Sequence, residues 1–207
     1  MSRKGKRIYI LCEGDTEENA IKYFIRPQWD KMGELKSVAL DSKTIKPKDI
    51  HKQTKQLIEN GDCDAVFLLF DLYGFPQELK GLDYKEKQEY IVQKLKTESN
   101  YHDLFFPHLA VHEIEAWVLA DGDTLTAYFR NKISGENNAE EKNFQNNPSK
   151  RLNDLFNKYK HTRYYKNSDS SALFRKLNFT SVYNNCPYFR LFYDELVKIG
   201  QEIKNKG

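Results

Sequence analysis

Asp64-Ala65-Val66-Phe67-Leu68-Leu69-Phe70-Asp71-Leu72-Tyr73-Gly74-Phe75-Pro76 decides the fold. Its apolar and aromatic residues run unbroken to Phe70, without the alternation of a strand wetted on one face. Such a run predicts a strand buried on both faces, as in a parallel sheet covered by helices. Asp71 stands at its carboxyl end. Open α/β sheets place ligands at that edge, because the loops leave the sheet there and the next helix begins nearby. Asp71 is therefore a candidate site residue by position, although an ordinary surface aspartate explains it as well.

Toward the amino terminus, Pro47 opens a helix carrying Ile50, Thr54, Leu57 and Ile58, and Asn60-Gly61 ends it. Ser37 to Leu40 form a short strand before it. Earlier still, Ile8-Tyr9-Ile10-Leu11-Cys12 is a strand-forming run bounded by Glu13-Gly14-Asp15. Asp15 or Thr16 caps the next helix, with Glu17 and Glu18 in its first turn, where they meet unpaired N–H groups and the positive end of the dipole. Ala20, Tyr23 and Phe24 continue at helical spacing until Pro27. Glu13 thus ends the first strand as Asp71 ends a later one.

Toward the carboxyl terminus, a helix is expected from about Asp83 to Thr97, with Tyr90, Ile91 and Leu95 as its apolar stripe. Leu104 to Val111, broken by Pro107, is an edge strand or one that starts after the proline. The alternation of strands and helices predicts a mostly parallel, three-layer α/β unit. His112-Glu113-Ile114-Glu115-Ala116-Trp117-Val118-Leu119 has Ile114, Trp117 and Val118 at one-face helical spacing, which leaves His112, Glu113 and Glu115 off the buried centre. From Asn131 to Pro148 the chain is rich in Asn, Glu, Lys and Gly and is expected to be a flexible insertion. Helices follow with Leu152, Leu155, Phe156 and Tyr159, then from near Pro187 with Phe189, Leu191, Phe192, Leu196 and Val197. The expected division is an α/β core over residues 1–130, a flexible polar insertion over 131–148, and a helical extension over 149–207 packed on the core.

The bulk composition is that of a globular chain: 207 residues, 39% hydrophobic and 30% charged, with no apolar run of transmembrane length. No secretory h-region follows the basic start, and Cys12, Cys63 and Cys186 match no zinc spacing, so a cytoplasmic protein with reduced thiols and no membrane partner is expected. The net charge of +3 permits nucleic acid as a partner without arguing for it. Lys150, Arg151, Lys158, Lys160, His161, Arg163 and Lys166 gather late in the chain; a solvated face explains them nearly as well.

Glu13, Asp71 and the Glu113/Glu115 pair come from three strand ends and are expected to converge on one rim. Oxygen-rich clusters of this kind suit Mg²⁺ or Mn²⁺, hard cations that prefer carboxylates and water and often reach substrate through phosphate. In such a site one metal activates a water while another stabilises the leaving oxygen of a phosphodiester. Solvated acids at helix starts are the alternative.

Glu13-Gly14, followed by a helix and later by the strand ending at Asp71, resembles a Toprim catalytic core, the Mg²⁺ module of topoisomerases, primases and overcoming-lysogenization-defect nucleases. More closely, Glu13-Gly14-Asp15-Thr16-Glu17-Glu18, Asp71-Leu72-Tyr73-Gly74-Phe75-Pro76, His112-Glu113-Ile114-Glu115-Ala116-Trp117, Asn147-Pro148-Ser149-Lys150-Arg151 and Cys186-Pro187-Tyr188-Phe189-Arg190 are similar, in order, to the motifs of domain-of-unknown-function family 4276. The resemblance implies a Toprim-like fold and a phage-defence role beside a partner ATPase. It makes Glu13 a metal ligand or general acid/base and Asp71 the first metal-binding aspartate. Toprim domains usually carry Asp-x-Asp; here the third position is Tyr73, and Glu115, or less directly Glu113, is expected to take the place of the missing carboxylate. The expected catalytic residues are Glu13, Asp71 and Glu115, with Glu113 added to the metal-binding set.

The expected substrate contacts are Gly14, Tyr73, His112, Lys150, Arg151 and Arg163. Gly14 shapes a turn, Tyr73 donates to phosphate or packs over its loop, and His112 polarises a phosphate, orients Glu115 or caps a helix. The three cations contact phosphate backbones without sequence readout, or form solvated faces. No Walker A stretch is present, so the chain itself is not expected to be a P-loop ATPase. Three functions compete: a metal-dependent nuclease or other phosphodiester-processing enzyme, a non-catalytic nucleic-acid-binding or regulatory subunit, and an interaction protein built on the insertion and the C-terminal helices.

Overall fold

Strand β3 (Ala65–Asp71) is buried along its whole length, as its unbroken apolar run requires. It is seen in a computed structural model that describes residues 7–29, 33–40, 46–60, 63–72, 84–101, 103–111, 113–142 and 147–206. Tyr73 and His112 lie outside the described residues. Around β3 stand β1 (Arg7–Cys12), β2 (Glu34–Ala39) and β4 (Phe105–Ala110), in the order β2-β1-β3-β4. β1 is parallel to both β2 and β3. The fold is thus α/β, with a mostly parallel four-stranded central sheet and C-terminal helices. β4 runs through Pro107 and takes the sheet edge, where a residue without an N–H interrupts no ladder on its open side.

The chain divides into two compact units, one of residues 1–14, 29–109 and 193–207, the other of residues 15–28 and 110–192. In the first unit, Asp64 fixes the start of the β1–β3 pair: its carboxylate accepts from Arg7 N at 2.9 Å, and its own N–H donates to Arg7 O at 2.9 Å. Val66, Leu68 and Phe70 bury one face of β3 against Ile50 of α2 (Pro47–Glu59) and Ile91 and Leu95 of α3 (Tyr84–Glu98). Tyr90 does not join the expected stripe; it is 50% exposed, because Ile91 and Leu95 at i, i+4 already fill the buried side. On the opposite face Phe67 stacks on Phe106 and on His108, whose Nε2 lies 2.6 Å from Glu195 Oε2. Glu195 belongs to α10 (Pro187–Asn205), so a helix covers that face too.

The second unit begins with α1 (Asp15–Ala20), which continues through a π-helical turn at Ile21–Ile25 and a 3₁₀ turn at Arg26–Gln28. It continues with α4 (Ala116–Leu119), α5 (Gly122–Phe129), α6 (Ala139–Lys142), α7 (Pro148–Lys160), α8 (Lys166–Phe174) and α9 (Phe179–Asn185). The expected helix from His112 starts only at Ala116. Two aromatic clusters hold this unit. Phe24, Trp117, Phe179 and Phe189 form one, with ring centroids 4.7 Å apart at Trp117–Phe189. Tyr128, Phe129, Phe156 and Tyr164 form the other, with Phe129 edge-on to Phe156 at 5.1 Å. Both arrangements suit the ring quadrupole. Among the described residues no helix is long and apolar enough to cross a membrane.

Candidate functional site

Two of the expected site residues lie at the carboxyl ends of neighbouring parallel strands in the first unit. Asp71 is the last residue of β3 and is 9% exposed. Glu13 directly follows β1, and Gly14 follows Glu13. Cys12 pairs with Leu69 at the end of the parallel β1–β3 ladder, so both acids stand just beyond the last paired residues of that ladder. Adjacent strands lie about 4.8 Å apart. Local sequence explains this placement: each acid ends a strand-forming apolar run, and parallel pairing sends both strand ends to the same edge.

Among the described residues, no group of three or more His, Cys, Asp or Glu side chains is arranged to hold a metal ion. Mg²⁺ and Mn²⁺ do not require such a group, since Mg²⁺ is commonly held by one or two carboxylates and completes its shell with water and substrate phosphate. Glu13 and Asp71 fit a hard cation in donor chemistry and in placement at two neighbouring strand ends.

Glu113 and Glu115 belong to the second unit and are engaged by groups of that unit. Glu113 Oε2 accepts from Ser149 N at 2.8 Å, in the first turn of α7, where a carboxylate satisfies an orphan N–H and meets the positive end of the dipole. Its other oxygen lies 3.9 Å from Lys166 Nζ, and Glu115 Oε1 lies 3.3 Å from the same nitrogen. Glu115 is 0% exposed. Burial raises its carboxyl above the usual range; Lys166 opposes the rise and Glu113 adds to it. Tyr164 Oη is buried beside this group with no hydrogen-bond partner among the described residues. Its pKa is raised, first by burial and then by Glu115, Asp169, Glu113 and Glu17. A half-exposed lysine thus bridges two carboxylates above a buried phenol.

Of the expected phosphate contacts, Lys150 and Arg163 are exposed, and Arg151 is ion-paired with Glu136. Lys166 stood in the sequence as one more member of a basic run. Tyr164 and Glu17 carried no signal beyond aromatic character and a helix start. Their assembly depends on bringing α1, α7 and α8 to one place, which no local pattern announces.

A parallel α/β sheet with carboxylates leaving two neighbouring strand ends defines an enzyme-like α/β scaffold. The model of a domain of unknown function, DUF4276, matches residues 12–197, and the chain belongs to that family. No curated protein and no solved structure matches the chain.

Proposed function

We propose that the protein is a divalent-metal-dependent phosphodiester-processing enzyme, a nuclease on a Toprim-like scaffold, in which Glu13 and Asp71 hold Mg²⁺ or Mn²⁺. The observation that carries this is the position of Asp71 at the carboxyl end of the central strand, beside a parallel strand that an acid directly follows. When bound, the ion supplies Lewis acidity toward a phosphoryl oxygen and acidifies a coordinated water. Gly14 gives the turn beyond Glu13 a residue without a side chain. Lys150 and Arg163 offer exposed charges to phosphate. With no P-loop in the sequence, ATP hydrolysis in a phage-defence complex falls to a partner ATPase.

One observation favours a second function, a non-catalytic nucleic-acid-binding or regulatory subunit. Glu113 and Glu115, the acids expected to replace the missing Toprim carboxylate, both face an ammonium supplied by the chain itself.

Cleavage of single- and double-stranded DNA and RNA by purified protein decides between them. The nuclease is expected to act only with Mg²⁺ or Mn²⁺, and folded Glu13→Gln and Asp71→Asn variants to lose on the order of 100-fold or more in rate. Activity unchanged in both variants would sink the assignment of these acids. Absence of cleavage with intact nucleic-acid binding would favour the regulatory subunit.

A further inference from the structure

Among the cations of the second unit that stand on aromatic rings, or beside cations that do, rather than on carboxylates, five are linked to one another through shared rings, chain adjacency or charge. Lys160 Nζ lies 3.5 Å from the centroid of the Tyr128 ring, and Lys176 Nζ lies 5.6 Å from the same centroid. Arg175, the next residue along, places its guanidinium carbon 3.6 Å from the Tyr23 ring, and Lys22 Nζ lies 5.0 Å from that ring. Arg130 completes the set: its charge and that of Lys176 act on Lys160, whose ammonium is held below the usual lysine range mainly by burial. All five residues are exposed.

They come from four places in the chain: the π-helical turn after α1, the residue after α5, the end of α7 and the turn after α8. Packing joins those places, since α1 packs on α8 and α5 on α7, and Thr124 Oγ1 of α5 donates to Lys176 O at 2.8 Å. The manner of pairing matters. A salt bridge cancels a charge, whereas a ring face orders a cation and leaves its charge intact. Among the described residues no carboxylate is ion-paired with any of the five. Asp169, an acid acting on Lys160, accepts from Tyr165 N at 2.7 Å and from Tyr128 Oη at 3.4 Å. Helix C-termini attract cations, which accounts for Arg130 and Lys160 singly but not for a stripe that continues onto the turn after α1.

We infer that the stripe Lys22–Arg175–Lys176–Lys160–Arg130 binds the phosphate backbone of a nucleic acid, without reading its sequence. Cations ordered before binding lose less side-chain freedom on contact, and the ring faces, already covered, are not offered to bases for stacking. The stripe deepens the nuclease proposal and rests on it for the nature of the ligand.

The test is fluorescence anisotropy with labelled single- and double-stranded oligonucleotides in EDTA, over about 50 to 200 mM salt. The double variant Lys160→Gln/Lys176→Gln is expected to lose on the order of 10-fold in affinity and to flatten the log–log salt slope by about 1.4 on single strands or about 1.8 on duplex. Lys52→Gln/Lys55→Gln on α2 removes the same net charge and is expected to change little. No binding by the wild type, equal losses in the two double variants, or equal displacement by polyglutamate would each overturn the stripe as a nucleic-acid site. Because the assay contains no metal, it reads binding apart from chemistry: binding that meets these expectations, together with no cleavage in the separate assay with Mg²⁺ or Mn²⁺, would sink the nuclease and leave the stripe standing.

Discussion

Glu140 sits out of water with three N–H donors aimed at it: Trp117 Nε1 at 3.0 Å, Tyr188 N at 2.8 Å and Phe189 N at 3.1 Å. The donors favour the carboxylate and burial favours the acid. Burial wins, and the carboxyl is pushed up from its ordinary 4.5 to about 7. Because the folded value lies above the unfolded one, the folded chain keeps a proton that the unfolded chain releases. Stability from this group is therefore full in acid and declines as pH rises from about 4.5 to about 7. The shift corresponds to roughly 3 kcal/mol. Urea unfolding is expected to show a lower midpoint at about pH 8 than at about pH 5, and Glu140→Gln to flatten that slope. An unchanged slope would move the effect to another raised carboxyl, such as Glu115. Nothing local in the sequence marks Glu140, since its donors lie 23, 48 and 49 residues away. The strand ends at Glu13 and Asp71 were legible, because an apolar run announces a strand and a charge after it announces the end.

Elements were legible where periodicity is local. β1, β3 and α2 follow from their apolar patterns, and Pro107 correctly marked an edge. Contacts that depend on the absence of a side chain leave no such pattern. Gly122 opens α5, and a Cβ there would lie 2.2 Å from Gly135 N; one on Gly135 would lie 2.6 Å from Ala120 O. Two stretches of backbone touch directly, and Glu136 N donates to Leu119 O at 3.0 Å beside them. Gly122→Ala is expected to destabilise by about 3 kcal/mol or more, because neither backbone can yield as a side chain would. Thermal melting tests this, and a variant as stable as the parent would mean that the segment around Gly135 is not packed there. Polar composition hid this contact, because residues 131–142 look solvated while Ala139 and Glu140 among them are fully buried.

Across the whole molecule, each compact unit draws on separated parts of the chain, and no shift in composition marks the joins. The last part of α10 belongs to the sheet unit, with Glu195 against His108 and Gly200 against Trp29, where a Cβ would come within 2.4 Å of the ring. A chain ending at Phe192 is expected to lose protection of the Phe67–Leu69 amides by at least about 10-fold, because it leaves one face of β3 uncovered. Hydrogen–deuterium exchange reads this directly, and unchanged protection would show that α10 does not hold that face. The same pairing sets a clock during synthesis. Glu195 follows His108 by 87 residues, so a ribosome adding about 5–20 residues per second makes the sheet wait roughly 4 to 17 s for its cover. For that interval the nascent chain presents Phe67 and Phe106 to whatever else is in the cell, a task for a chaperone before it is one for the fold.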